Sequence, residues 1–289
     1  MRCPLMLSFL VSLCTASTIC EGQTQENRRT GKAEVEFVGN KVFPTRELAE
    51  KMKGCQKKYS VLNEEHHARV LEYCLSELRR YIASQGYLEV KLGSSQFGSG
   101  PGVKVVVDEG RRYRLGRIAI EGAELFTHEF IRGLLKLRRG EFADGEVIDR
   151  WLNEKLKREY ARLGYIQFIA EVVPEFTAGP AEGSEGIVNL KIIIDEGQQF
   201  KVRRIEFVGN ANTRDDIVRR ALFIREGEVF NQELYEQSLQ RLNELGLFEE
   251  VTDKDVDFTV DGEAALLSLR IKVKEKIKRG APDGSNRLL

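Results

Sequence analysis

The stretch "RRIEFVGN" (residues 203–210) reads as a short alternating strand followed by a turn. Ile205 and Phe207 are two residues apart, a spacing typical of a strand with one buried face. A glycine then turns the chain, because glycine tolerates positive φ. The same phrase occurs as "AEVEFVGN" (33–40) and "GRIAIEGA" (116–123). The chain therefore contains the same strand-and-turn element three times.

The repeat extends well beyond this phrase. "DEGRRYRLGRIAIEG" (108–122) aligns with "DEGQQFKVRRIEFVG" (195–209), an offset of 195 minus 108, or 87 residues. At the same offset "LRRGEFAD" (137–144) aligns with "IREGEVFN" (224–231). The first copy is less similar but shows the same signals in the same order. The pattern predicts three consecutive units of roughly 80 residues, each long enough to bury a modest core.

Two helices and two strands follow the opening strand in each copy. The first helix is short, and the second carries an apolar stripe at i, i+4 spacing. The two strands are joined by a turn-rich loop, so the order β-α-α-β-β predicts an α+β fold with both helices on one face of a small sheet. The second helices begin at the capping residues Asn63, Asp144 and Asn231 and end at Gly86, Gly164 and Gly246, which suit a left-handed C-cap.

These motifs resemble POTRA domains, the polypeptide-transport-associated repeats of outer-membrane barrel assembly factors of the BamA/TamA type. The resemblance rests on the element order, the "EFVGN" strand end, and the "GYI" or "GLF" that follows the second helix. It implies three tandem POTRA-like domains, each a three-stranded mixed sheet covered on one face by two helices. We expect them at residues 32–110, 111–197 and 198–276.

Both ends of the chain are expected to lie outside these domains. Residues 1–20 show the charged, apolar and small-residue order of a secretory signal peptide, with a retained anchor as the alternative. Residues 277–289 are expected to form a flexible tail and are too few for the barrel that follows the last repeat in the family. Whether another chain supplies a barrel or truncation removed it stays open. Pairing of Cys55 with Cys74 also stays open.

Composition argues against nucleic-acid binding and against catalysis. The 289 residues contain 45 Lys and Arg against 45 Asp and Glu, so there is no bulk positive charge for nucleic acid. His66, His67 and His128 lack the spacing of metal ligands. The glycine-rich loops lack the Lys-Ser/Thr pair and following helix of a phosphate site. We therefore expect no cofactor, no bound metal and no enzymatic activity.

The resemblance also implies where partners bind. The second strand of such a domain lies at a sheet edge, where unpaired backbone groups can accept a further strand by β-augmentation. The alternative is a purely structural strand whose edge is guarded by charges such as Glu249 and Glu250. The second copy, "YIQFIAEVV" (165–173), is long and weakly charged, so we expect it to be the most adhesive. The predicted partner-binding residues are Tyr87, Leu88 and Val90 in the first copy, Tyr165, Ile166, Gln167, Phe168 and Ile169 in the second, and Phe248 and Val251 in the third.

Lysines alternate with apolar residues along "RIKVKEKIKR" (270–279). The simpler interpretation is a row of lysines on the solvent face of the last strand. The alternative is that Lys272, Lys274 and Lys276 contact anionic lipid headgroups or the rim of a barrel.

By resemblance, the sequence predicts an exported, periplasmic, non-catalytic module associated with the outer membrane. Its function would be outer-membrane protein assembly or polypeptide transport. The expected partners are unfolded outer-membrane proteins, and either a barrel protein in trans or other assembly factors; nucleic acid is not among them. The alternative is a membrane-anchored scaffold that binds other proteins, similar to division proteins with a single such domain.

Overall fold

The computed structural model describes residues 35–61, 64–97, 102–181 and 183–276. In these ranges the chain forms three consecutive units, each a three-stranded mixed sheet accompanied by helices. The predicted α+β fold of three β-α-α-β-β repeats is confirmed. The predicted signal segment and tail, Asn63, and the side chains of Cys55 and His66 lie outside the described residues.

Unit one has the two longest helices. Its first helix has 17 residues and is longer than the short helix that the sequence predicted. Along the second helix Cys74, Leu78 and Ile82 recur every fourth residue and are all buried, as an amphipathic stripe requires. Cys74 is disulfide-bonded. The elements are β1 (Val35–Val38), α1 (Thr45–Val61), α2 (Glu64–Ser84), β2 (Lys91–Phe97) and β3 (Gly102–Asp108).

Unit two interrupts its second helix with a π-helical turn. Asp144 caps the start as predicted, because its Oδ1 accepts a hydrogen bond from the Val147 amide at 3.0 Å. The buried Trp151 lies in the π-helical turn, and its Nε1 donates to the Ile131 carbonyl at 2.8 Å, which ties the two helices together. The elements are β4 (Tyr113–Glu121), α3 (His128–Gly133), α4 (Gly145–Arg150), the π-helical turn (Trp151–Leu156), α5 (Lys157–Arg162), β5 (Ile169–Thr177) and β6 (Gly186–Asp195).

Unit three repeats this plan with a shorter hairpin. Asn231 is the predicted cap, and its Oδ1 accepts from the Leu234 amide at 3.1 Å. The buried Ser238 hydroxyl accepts from the Phe223 amide at 2.8 Å and so holds the loop between the helices. The elements are β7 (Lys201–Val208), α6 (Asp215–Arg219), α7 (Gln232–Glu244), a 3-10 turn (Asp253–Asp255), β8 (Val256–Asp261) and β9 (Leu266–Lys272).

The three sheets share one strand order. The third strand of each unit is central, parallel to the first strand and antiparallel to the second, so the orders are β1-β3-β2, β4-β6-β5 and β7-β9-β8. Each unit has its own apolar core. Fully buried members include Leu48, Leu78 and Val105 in unit one, Ile131, Trp151 and Leu190 in unit two, and Val218, Leu242 and Leu269 in unit three.

The glycine of the opening phrase is required by a close backbone approach. Gly39, Gly122 and Gly209 have φ values of 89°, 81° and 102°. A Cβ at Gly122 would lie 2.0 Å from the Ile194 carbonyl oxygen, and a Cβ at Gly209 would lie 2.0 Å from that of Val273. Glycine is therefore needed both for the left-handed backbone and for the space.

A glutamate just after the third strand holds the turn that this glycine begins. Glu109 is buried, and its Oε1 accepts from the amides of Lys41 at 2.7 Å and Val42 at 3.0 Å. These bonds tie the segment after β3 to the turn after β1, whose amides would otherwise be unpaired. The equivalent residues are Glu196, which accepts from Glu124 and Leu125, and Glu275, which accepts from Asn212 and Thr213.

None of the helices in the described part of the chain has the length and apolar content needed to cross a membrane.

Candidate partner-binding edges

The second strand of each unit lies at a sheet edge, as the resemblance implied. β2, β5 and β8 each pair with the central strand on one side, and no other strand of the described residues pairs with them on the other. Their outer backbone groups are thus the unpaired donors and acceptors that β-augmentation requires.

These strands begin later than the sequence predicted. The predicted segments started one or two residues after the helix-ending glycines, at Tyr87, Tyr165 and Phe248. The strands begin instead at Lys91, Ile169 and Val256. In units one and two, the residues between form a tight turn. Of the ten predicted partner-binding residues, only Ile169 belongs to an edge strand.

The turn residues form the joints between units. Leu88 of unit one packs against the core of unit two, and Ile166 of unit two packs against the core of unit three. Tyr87 and Tyr165 pack against the cores of their own units. Leu88 and Ile166, which were predicted to lie in binding strands, therefore connect consecutive units.

Hydrogen bonds repeat at both joints. The Tyr113 amide donates to the Gly86 carbonyl at 2.9 Å, and the Phe200 amide donates to the Gly164 carbonyl at 2.9 Å. At the second joint, Arg162 also forms an ion pair with Glu233 at 2.8 Å. The units are therefore linked by packing and backbone bonds as well as by the chain itself.

Four predicted residues are excluded from an exposed edge by burial. Val90, Phe168, Phe248 and Val251 have exposed fractions of 7%, 5%, 2% and 4% and belong to the cores of their own units. Their apolar character therefore reflects burial in the core and not an exposed binding strand. Of the ten predicted residues, only Gln167 and Ile169 have exposed side chains.

Pro174 indicates which backbone groups of β5 point away from the central strand. This residue is aligned with Leu190 of the central strand, and a proline fits inside a strand where its missing N–H would face the free edge. Because backbone direction alternates along a strand, the amides of Ala170, Val172 and Phe176 point outward as well. The half of β5 before Pro174 therefore offers two free donors, whereas the proline interrupts the edge beyond them.

Among the described residues, β5 exposes three large apolar side chains, and β8 exposes two, Phe258 at 42% and Val260 at 44%. β5 has nine residues, of which Ile169, Val173 and Phe176 are exposed to 64%, 36% and 37%. β2 runs through Gly93, Ser94 and Ser95, and its described side chains, at residues 91–95, offer little apolar surface.

β8 differs from β5 in length and charge. It has six residues, and its two aspartates form ion pairs with neighbouring basic residues. Asp257 pairs with Lys272 at 2.9 Å, and Asp261 pairs with Arg203 at 2.8 Å. Paired charges along an edge discourage strand addition, so β8 is the better guarded edge.

The lysine row is largely neutralised by ion pairs. Lys272 pairs with Asp257, and Lys274 pairs with Glu249 at 2.8 Å. Lys276 lies after β9, and its amide donates to the Leu247 carbonyl at 2.9 Å. Lys272, Lys274 and Lys276 are all exposed, and the pairs of the first two favour the simpler interpretation of a solvated face.

Several buried or partly buried tyrosines donate hydrogen bonds to carboxylates. Burial, followed by the hydrogen bond to Glu47, raises the pKa of Tyr81 to about 12. Burial and the bond to Glu89 likewise raise the pKa of Tyr113 to about 12. Phenols with such pKa values stay neutral at physiological pH and act here as structural donors.

Within the described residues, no group of three or more His, Cys, Asp or Glu side chains could hold a metal ion.

The predicted segment 165–173 contained Ala170 and Val172 but did not name them as binding residues, and it ended before Pro174 and Phe176 of the β5 edge. The signal that could have found them is the distance from Gly164, because a left-handed glycine and a tight turn consume several residues before a strand begins.

Comparison with known proteins adds a family and a fold. The family described as POTRA, Surface antigen variable number repeat, matches residues 113–197 and 200–276, together more than half of the chain. The chain is 25% identical over 261 residues to the outer membrane protein assembly factor BamA of Neorickettsia risticii, covering 87% of the chain and 34% of that protein. It is 28% identical over 215 residues to BamA of Nitratidesulfovibrio vulgaris, covering 72% of the chain and 26% of that protein.

The chain thus spans about a third or less of the length of these curated relatives. Its fold is similar to the crystal structure of Haemophilus influenzae BamA POTRA3-5, with a TM-score of 0.64 and 23% identity. That similarity covers 84% of this chain and 95% of the other.

Proposed function

The chain belongs to the POTRA family, and on that premise we propose that it is a non-catalytic periplasmic module, associated with the outer membrane, for outer-membrane protein assembly or polypeptide transport. The names of the relatives, outer membrane protein assembly factors, support this class of function. The partners in this proposal are unfolded outer-membrane proteins and other assembly factors.

The proposed mechanism is strand addition at the β5 edge. The observation that carries it is the outward-facing, unpaired half of β5 beside the exposed Ile169 and Val173. An incoming strand would accept from the Ala170 and Val172 amides, and its side chains would cover part of the neighbouring apolar surface. Backbone bonds read little sequence, which suits clients that share alternating strands and little else.

The three units contribute unequally to this mechanism. β5 lacks the ion pairs of β8 and the polar glycine-serine run of β2. Joints held by Leu88 and Ile166 would keep β5 at a fixed place along a semi-rigid arm. The proposal therefore assigns client binding to unit two, whereas units one and three hold unit two at a fixed position along the arm.

Proline substitution tests the mechanism. Ala170→Pro and Val172→Pro remove outward donors at positions of the same phase as the native Pro174. Each is expected to weaken binding of a fluorescent peptide from an outer-membrane β-strand by about tenfold or more, because a hydrogen bond is lost and the ring obstructs the incoming strand.

The matched control is Ala170→Ser, which keeps the amide and is expected to bind as the wild type does. Thermal unfolding of each variant establishes that unit two remains folded, and two proline positions guard against a fold defect at one of them. Wild-type affinity in both folded proline variants would contradict strand addition at this edge.

A further inference from the structure

The opposite edge of the same sheet carries a basic recess. β4 has an irregularity between Leu115 and Ile118, where its register against β6 shifts. A Cβ at Gly116 would lie 2.2 Å from Asn189 Oδ1, so the bulge has no room for a side chain at this position. Depressions on both sides of the bulge are lined by Arg114, Arg117, Arg132 and Arg139.

A strand amide faces this recess. Arg132 Nη2 donates to the Ile118 carbonyl at 3.1 Å from the free edge of β4. The N–H and C=O groups of one strand residue point to the same side, so the Ile118 amide also faces outward. It lies among guanidinium groups, which are donors and offer no acceptor.

Unit three shows what fills the corresponding place. Glu226 Oε1 accepts from the Ile205 amide at 2.8 Å and forms an ion pair with Arg219 at 3.2 Å. Arg219 in turn donates to the Ile205 carbonyl at 2.7 Å, as Arg132 does to Ile118. One carboxylate thus satisfies both the edge amide and the arginine beside it.

Unit two lacks this carboxylate. Arg139 occupies the position of Glu226, because 139 plus the repeat offset of 87 is 226. Among the residues that the structure describes, Arg117, Arg132 and Arg139 form no ion pair, whereas Arg114 pairs with Glu185 at 2.6 Å. The recess therefore holds an outward amide and three guanidinium groups arranged around the place of a carboxylate.

We propose that this recess binds a carboxylate of a protein partner, which does in trans what Glu226 does within unit three. The ligand is an acidic side chain, since Glu226 shows that a glutamate carboxylate fits between the amide and the arginine. A bidentate bond to a guanidinium would add specificity. The site lies on the β4 edge, so it does not depend on strand addition at β5.

Amide NMR of the full chain tests the proposal with three probes. They are a short capped peptide with one glutamate, the same peptide with glutamine, and inorganic phosphate. The glutamate peptide is expected to shift the Ile118 amide signal in a saturable way and to bind about tenfold more tightly than the glutamine peptide, because hydrogen bonds to charged groups are the stronger ones. Equal effects of the two peptides, or phosphate binding as tightly as the glutamate peptide, would overturn the proposal.

Two matched variants locate the site. Arg139→Glu installs the carboxylate that unit three already has and is expected to abolish the response of Ile118 to the glutamate peptide. Arg138→Glu makes the same charge change one residue earlier, where unit three also has an arginine at position 225, and is expected to keep most of the response. Arg139→Gln is a third variant that adds no charge and should weaken binding. An unchanged response in both Arg139 variants, or equal loss in Arg138→Glu, would refute the assignment.

Discussion

Units two and three follow the same plan at an offset of 87 residues, yet they treat their sheet edges differently. In unit three, Glu226 accepts a hydrogen bond from the Ile205 amide at the edge of β7. The edge strand β8 is short, and its two aspartates form ion pairs. In unit two, three arginines surround the corresponding amide without a carboxylate, and β5 is long with Ile169 64% exposed. Unit three therefore supplies a carboxylate to one edge amide of β7 and ion pairs along β8, whereas in the described part of unit two the amide of Ile118 has no such carboxylate and β5 has no ion pairs.

The shared features show which parts of the repeat the fold requires. Both units keep the left-handed glycine against the carbonyl of the central strand's end, and both keep the glutamate that holds the following turn. The edges differ because the fold does not depend on them. The edge differences therefore mark where function can differ between two units of the same fold.

The largest effect is expected where the two units are alike. Gly122→Ala and Gly209→Ala are each expected to destabilise their own unit by about 3 kcal/mol or more, because the new Cβ meets a carbonyl and φ is unfavourable. The single tryptophan, Trp151, reports unfolding of unit two by fluorescence, and far-UV circular dichroism reports the rest.

Gly227→Ala is the control for these substitutions. Its φ is 87°, but a Cβ there would meet nothing within 4 Å, so only the backbone cost of about 1 kcal/mol is expected. Equal destabilisation by Gly227→Ala and Gly209→Ala would show that the close approach is not what requires glycine.

A smaller loss of stability is expected for substitutions at the joint that connects units two and three. Ile166→Ala removes side-chain atoms packed against the core of unit three and is expected to lower its stability by about 1 to 2 kcal/mol, since the site is partly buried. Ile169→Ala, three residues later and largely exposed, should change the free energy of unfolding by less than about 0.5 kcal/mol. Urea titration measures both; equal effects would contradict the separation of joint from edge.

The smallest effect is expected in the pH dependence of unit three. Hydrogen bonds from Asn212 and Thr213 lower the pKa of Glu275. A lowered folded-state pKa stabilises the unit above the unfolded-state pKa, and that contribution is lost as pH falls through the folded-state value. Glu275→Gln should therefore flatten the loss of stability below about pH 5, whereas the exposed Glu263→Gln should not. Parallel pH profiles for wild type and Glu275→Gln would contradict this.

The repeated elements were predictable because their signals are local. Period-two strands, capping residues such as Asp144 and Asn231, and glycines at helix ends determine the element order directly. The joints were not predictable, because whether Leu88 or Ile166 packs in its own unit or in the next depends on how the units meet. The recess at Gly116 was not predictable either. It becomes visible only because Glu226 accepts from a strand amide in unit three, and no local sequence pattern shows that contact.

The most direct test of the account compares amide hydrogen exchange in the two edge strands of the full chain, with and without a peptide from an outer-membrane β-strand. We predict that bound peptide slows exchange at Ala170 and Val172 of β5 and leaves Phe258 and Val260 of β8 unchanged. Unchanged exchange at Ala170 and Val172 under saturating peptide, or equal protection of both strands, would contradict the claim that unit two carries the binding edge.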